Sequence, residues 1–227
     1  MTLPMTPVIA EAMSEVTDYL FPNSRILVFA KAPVVGCVKT RLQPVLSPEQ
    51  SCELHQQLLE HNLAMLKGAG VAPVTLLTAG EHPCWQLYHD GFNVQLESQI
   101  EGDLGERMAQ AAVQALRGCD SVILMGSDCP FITKDYLGSA FKFLQQGVEV
   151  VFGPANDGGY VLLGLNQVPS ALFTGVDWGT ERVLQQSCQN LAPGYMCLPS
   201  LTDIDRPEDI RSLADLEAFK RWLCCVP

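Results

Sequence analysis

The densest chemistry in the 227-residue chain lies in R-I-L-V-F-A-K-A-P-V-V-G-C-V-K-T-R-L, residues 25–42. Between Asp18 and Glu49 there is no acidic residue, yet Arg25, Lys31, Lys39 and Arg41, four of the 14 Lys and Arg, fall there. In a chain of formal charge -11 that is an island of positive potential. Ile26 to Ala30 is apolar and too short for a stable helix, so it reads as a buried strand. The chain then breaks at Ala32-Pro33 and turns through Gly36, which can take a positive φ or admit a ligand close to the backbone. A strand ending in a glycine-containing basic loop offers backbone N–H donors and cations together, which suits a phosphate. Lys31, Ala32, Pro33, Gly36, Lys39, Thr40 and Arg41 are the candidate contacts. Any one of these cations alone would read as a solvated side chain; the grouping points to an anion. Gly36–Thr40 reads G-x-x-K-T, but Val38 stands where a P-loop has glycine, and no G-x-G-x-x-G is present. Both of those nucleotide folds are rejected.

Carboxylates that could complete such a site sit far along the chain. Asp128 follows an apolar strand in G-S-D-C-P, near Pro130, which disfavours helix. With a second carboxylate from Thr202–Asp205, it could hold Mg²⁺ or Mn²⁺ together with substrate phosphate oxygens. Asp205 is the preferred second ligand and Asp203 the reserve. A turn would explain Asp128 by itself, and a capping box of Asp205 with Glu208 would explain Asp205. Asp157-Gly158-Gly159-Tyr160 joins an acid and a phenol to two glycines, which reads as an acceptor or sugar pocket or as a tight turn. Trp178, in W-G-T, is the candidate wall of that pocket or a core residue.

The elements that must position these groups alternate. Strands are expected at Arg25–Ala30, Val74–Thr78, Phe92–Leu96, Val122–Met125, Val148–Phe152, Val161–Leu165 and Tyr195–Leu198. Helices are expected from a capping box at Ser47–Gln50, over Trp85–His89, from Asp103 and Glu106 as N-cap and N3 to Arg117, over Thr133–Gln146, from Thr180, and up to Trp222. Strands alternating with helices, joined by loops too long for hairpins, predict a three-layer α/β sandwich with a mostly parallel central sheet. Ligands of such sheets lie beyond the carboxyl ends of the strands.

Composition sets the remaining bounds. A chain 48% hydrophobic and 17% charged is an ordinary globular domain, expected as one unit over 25–227. Residues 1–24 are expected to form a helical extension packed on it, with Ile9, Met13, Val16 and Leu20 at helical spacing. The acidic balance argues against a nucleic-acid or anionic-membrane partner. No signal peptide or spanning segment is evident, and the nine cysteines show no paired C-x-x-C spacing, so reduced thiols and a cytoplasmic location are expected. The adjacent Cys224 and Cys225 could capture a soft metal or metalloid, although chance pairing explains them in so cysteine-rich a chain.

F-A-K-A-P-V-V-G-C-V-K-T-R-L, G-D-L-G-E-R-M, G-S-D-C-P and G-P-A-N-D-G-G-Y, in that order, resemble the bacterial glycosyltransferase-like family often labelled radical-SAM-associated or arsenosugar-biosynthesis transferases. D-I-D-R-P-E-D is similar to the D-x-D-T-P-E-D segment of nucleotidyltransferases. The resemblance covers about residues 25–222 and implies the GT-A, or nucleotide-diphospho-sugar transferase, fold (Rossmann-like). It implies phosphate contacts at Lys31, Lys39 and Arg41, a metal at Asp128 and a second ligand at Asp205. Cys37, Gly179 and Arg206 depart from the family pattern, where a basic residue, Ser and Thr are common.

The expected activity is a metal-dependent transfer from a nucleotide sugar to a small-molecule acceptor. Lys39 and Arg41 would stabilise the diphosphate leaving group, and Gly102, Asp103 and Arg107 would line the base and ribose side. Asp157 would act as general base or orient the acceptor. The alternatives are a nucleotidyltransferase joining an NTP to a phosphorylated or carboxylate acceptor, and a non-catalytic nucleotide-binding protein.

Overall fold

The computed structural model describes residues 18–191 and 194–225. Of the helix expected from Ile9, Met13, Val16 and Leu20, the first three lie outside the described residues, whereas Leu20 is described, is not helical and is exposed. Seven strands form one sheet in the order β3-β2-β1-β4-β6-β5-β7. They are β1 Ser24–Lys31, β2 Val74–Ala79, β3 Gln95–Ser98, β4 Ser121–Gly126, β5 Val150–Pro154, β6 Tyr160–Leu165 and β7 Tyr195–Cys197. The helices are α1 Pro48–Ala69, α2 Cys84–Phe92, α3 Leu104–Ala115, α4 Lys134–Gln145 and α5 Val183–Gln189. This is the three-layer α/β sandwich with a mostly parallel central sheet that the alternation of elements predicts.

The period-two pattern of the strands builds the layers. In β1, Ile26, Val28 and Ala30 pack with Leu59 and Leu63 of α1 and Phe141 of α4, while Leu27 faces the opposite cluster with Met108 and Ala112 of α3. A third cluster joins Leu54 and Leu58 of α1 to Leu42, Ile204, Phe219 and Trp222. It ties the end of the chain to the basic loop.

Helix starts follow the capping expectations. Ser47 with Gln50 and Asp103 with Glu106 form capping boxes, and the Thr133 hydroxyl accepts from the Tyr136 N–H. Four expectations fail. Phe92 belongs to α2, which ends in a left-handed Asn93, so β3 starts only at Gln95. The helix expected from Thr180 begins at Val183, and the closing helix is two 3-10 segments, Pro207–Asp215 and Glu217–Cys225. β6 runs antiparallel to both β4 and β5, so residues 155–159 do close a hairpin.

That reversal serves the site. β1 and β4 are parallel, with Phe29 beside Gly126, so their exits share one edge. Because β6 is antiparallel to β4, its entrance at Tyr160 lies at that edge as well. β7 is parallel to β5, and the segment after it continues along that edge through an Ala155–Leu201 bridge and a hydrogen bond from the Ile204 N–H to the Asp128 carbonyl (3.0 Å). Every candidate carboxylate therefore reaches the sheet edge that carries the basic loop.

Gly158 fixes the hairpin loop. Its φ is 93°, and a Cβ there would run into the backbone of Glu181, against which the loop is tied by a bond from the Leu184 N–H to the Gly158 carbonyl. Gly158→Ala should cost more than about 1 kcal/mol and lower Tm by about 2–4 °C or more, read by thermal unfolding.

Candidate functional site

The basic loop places Lys39 with φ 48° and ψ 38°, a left-handed conformation uncommon for a residue with a Cβ. A 3-10 turn, Thr40–Leu42, follows it, and buried Leu42 anchors that turn in the third apolar cluster. This backbone turns the Lys39 side chain inward, where only 5% of it is exposed. Its Nζ lies 3.0 Å from Asp128 Oδ2 and 3.4 Å from Asp205 Oδ1, while Arg41 Nη1 lies 2.6 Å from Asp205 Oδ2. The first strand's loop and two distant carboxylates therefore meet in one four-membered ion network.

Burial alone would drive the Lys39 ammonium toward its neutral form; the Asp128 and Asp205 carboxylates overcome it and raise its pKa above the ordinary lysine value. Asp128 mirrors this: burial favours its neutral form, and Lys39 pulls its pKa below the usual carboxylate range. Asp203 is different. Burial, then the charges of Asp128 and Asp157, push its carboxyl up to about 7. Burial chiefly lowers the pKa of His55, whose Nε2 lies 3.0 Å from the Lys31 carbonyl oxygen.

Asp205 does not cap the last segment as expected. Asp209 Oδ2 accepts from the N–H groups of both Asp205 and Arg206 (3.0 and 2.6 Å), which leaves the Asp205 carboxylate to Lys39 and Arg41. The structural explanation for Asp205 thus passes to Asp209.

Two cavities meet at this network. The larger, about 460 Å³, is cationic and is lined by Lys31, Lys39, Thr40, Arg41, His55, Gln99 and Arg107. Gln99 is clamped there, its Nε2 donating to the Leu77 carbonyl at 2.7 Å and its Oε1 accepting from Arg107 at 3.4 Å. The second, about 290 Å³, is lined by Asp128, Asp157, Asp203 and Asp205 together with Phe29, Met108, Tyr160, Trp178, Thr180 and Val183. Asp128, Asp205 and Arg41 line both.

Most predicted site residues converge here. Lys31, Lys39, Thr40, Arg41 and Arg107 line the cationic cavity, and Asp157, Gly159, Tyr160 and Trp178 line the other. Ala32, Pro33, Gly36, Gly102 and Asp103 line neither of them, and Gly158 serves the loop's packing. Gly36 makes the loop's turn with φ 80°, and Asp103 caps α3. The Tyr160 hydroxyl lies 4.0 Å from the buried Met108 sulfur. Trp178 packs so closely over Gly105 that a Cβ there would overlap the indole, which joins G-D-L-G-E-R-M to W-G-T. Phe29, His55, Gln99, Met108 and Val183 were not singled out in the sequence. Phe29 alternates with the core positions of β1 and Met108 lies in α3, both patterns that also describe plain core.

Among the described residues no helix is long and apolar enough to cross a membrane, and all nine cysteines are free. A search of curated proteins finds no match to the chain. Among solved structures, a candidate nucleotide-diphospho-sugar transferase from Desulfovibrio desulfuricans G20 superposes with a TM-score of 0.79 at 29% identity, covering 88% of this chain and 91% of that one. A nucleotidyl transferase from Methanothermobacter thermautotrophicus gives 0.57 at 14% identity, covering 87% and 98%. CMP:2-keto-3-deoxy-manno-octonic acid synthetase complexed with CTP gives 0.53 at 13% identity, covering 87% and 99%. The model of the bacterial family described as "uncharacterized protein conserved in bacteria (DUF2064)" matches residues 62–180, more than half of the chain, and the protein belongs to that family.

Proposed function

We propose that the protein is a glycosyl-type transferase. It binds the diphosphate of a nucleotide sugar in the cationic cavity and moves the sugar to a hydroxyl of a small acceptor in the adjoining one, with Mg²⁺ or Mn²⁺ at Asp128 and Asp205. The observation that carries this reading is the ion network at the junction, where Lys39 touches both carboxylates at the boundary shared by the two cavities. The 29% identity to the Desulfovibrio protein supports it.

The donor set fits a hard divalent ion. Such ions prefer carboxylate oxygens and commonly take one or two from protein with the rest from phosphate and water. Four carboxylates, Asp128, Asp157, Asp203 and Asp205, line the acidic cavity against Arg41 and the neighbouring Lys39, and the Asp203 carboxyl is pushed up first by burial and then by the charges of Asp128 and Asp157. Among the described residues no group of three or more His, Cys, Asp or Glu forms a complete cage, which suits an ion shared with substrate. Bound there, it would neutralise charge on the diphosphate leaving group.

The chain's own groups carry the remaining steps. Lys39 and Arg41 face the phosphates and stabilise the charge that develops as the anomeric carbon–oxygen bond breaks. Asp157, whose Oδ1 is fixed by the Gly159 N–H at 2.9 Å, takes the acceptor's hydroxyl proton as that oxygen bonds to the anomeric carbon. Arg107 and the clamped Gln99 face the nucleoside end. The two cavities hold donor and acceptor in reach of each other.

Incubation with nucleotide sugars and Mn²⁺ should release nucleoside diphosphate. Pyrophosphate from triphosphates would instead mark nucleotidyl transfer, and no nucleotide binding at all would remove the reading. Asp128→Asn should lower turnover by on the order of a hundredfold with an unchanged circular dichroism spectrum. Lys39→Met should destabilise by roughly 2 kcal/mol, less than a fully buried pair because both carboxylates remain about a third exposed. By freeing two carboxylates it should also tighten Mn²⁺ binding without nucleotide, measured by electron paramagnetic resonance. Asp203 contributes stability that is full below the ordinary carboxyl pKa and is lost as pH rises through about 7. The Tm of metal-free Asp203→Asn should therefore rise relative to wild type between about pH 5 and about pH 8.

A further inference from the structure

The two cavities that meet at Asp128 and Asp205 have opposite chemistry, and the difference limits what each can hold. The larger carries Lys31, Lys39, Arg41 and Arg107, the equipment for an anion. The smaller presents Phe29, Met108, Leu124, Val161, Trp178 and Val183 as an apolar wall, with Asp128, Asp157, Asp203 and Asp205 around it. Among the described residues lining it, Arg41 is the one cation, and its guanidinium is already 2.6 Å from Asp205. Nothing in this cavity is placed to receive a phosphate or a carboxylate. Such a group would displace water only to face carboxylates of its own sign.

We infer that the acceptor is a hydroxyl compound with an apolar face and no anionic group. The inference rests on the reading of the cleft as a transferase site and adds the chemical class of the second substrate. The wall is stiff where it matters. Trp178 is pressed on the Gly105 backbone and tilted against Phe173, with ring centroids 6.3 Å apart, so the indole offers a fixed surface for a flat or hydrocarbon face. Tyr160 adds its ring, since its hydroxyl is turned to the Met108 sulfur. At the polar side Asp157 is oriented by the Gly159 N–H through Oδ1, which leaves Oδ2 to accept a hydrogen bond from the acceptor hydroxyl. An apolar body against Trp178 and a hydroxyl at Asp157 satisfy both sides of the cavity at once. A phosphorylated acceptor would need a cationic side chain beyond Arg41, which Asp205 already holds, since the proposed metal is taken up by the donor's diphosphate.

The test uses three probes with one ring and one chain length: 2-phenylethanol, phenylacetate and 2-phenylethyl phosphate. Each is titrated by calorimetry into the full-length protein without nucleotide or metal. The alcohol should bind at least about tenfold more tightly than either anion. Trp178→Ala should weaken it about tenfold, and Asp157→Asn, at an exposed position, should narrow the gap between alcohol and phenylacetate. Anions binding as tightly as the alcohol, none of the three binding up to its solubility limit, or Trp178→Ala binding the alcohol like wild type would each overturn the inference. A separate titration with nucleoside diphosphates reads the cationic cavity alone. Failure of the acceptor assignment is thereby told apart from failure of the transferase reading.

Discussion

A single ammonium group holds the site together. Lys39 is removed from water almost completely, and a cation so placed costs several kcal/mol unless carboxylates surround it. Asp128 and Asp205 meet that demand, and in doing so they fix where three stretches of chain, far apart in sequence, must lie. The backbone concedes something as well. Lys39 sits in the left-handed region without being glycine, a strain of the kind found where surrounding contacts over-determine a residue. The position of the ammonium between the acids explains the depressed pKa of Asp128; at Asp203, burial and the charges of Asp128 and Asp157 outweigh the pull of the same ammonium.

The sheet makes this meeting possible through one irregularity in an otherwise parallel arrangement. A purely parallel order would send the entrance of β6 to the opposite edge and carry the D-G-G-Y loop away from Asp128. The antiparallel β6 instead brings residues 155–159 beside the exit of β4, and β7 delivers Asp203 and Asp205 from the other side. Cation loop and acid loops then divide the cleft into two compartments of unlike polarity. The division follows from topology before any single side chain is considered.

Much of this was legible in the sequence. The acid-free basic loop, the apolar strand before Asp128 and the capping boxes at Ser47 and Asp103 each have a local physical signature, and each appears where its signature lies. The reversal of β6 was not legible. An apolar run such as Val161–Leu165 reads alike in either direction, and only pairing partners decide its sense. The capping role of Asp209 was hidden for a related reason, since Asp205 and Glu208 have the same spacing and type as a genuine box. Phe29 and Met108 could not be separated from core residues because a cavity wall and a core share the same alternation. Gln99 had no periodic signal at all, and only its clamp between Arg107 and the sheet marks it.

The family match spans residues 62–180, and the ion network does not respect those limits. Asp128 falls inside, while Lys39, Arg41 and Asp205 fall outside on either flank. Within the sheet, β1 pairs with β2 and β4, yet it too precedes the matched stretch. An excised 62–180 fragment would lose β1, the strand that joins β2 to β4, and strand a carboxylate without its counter-ion. The recognisable stretch is thus a signature carried by the domain, and the unit that can fold and hold charge in balance is wider than the signature.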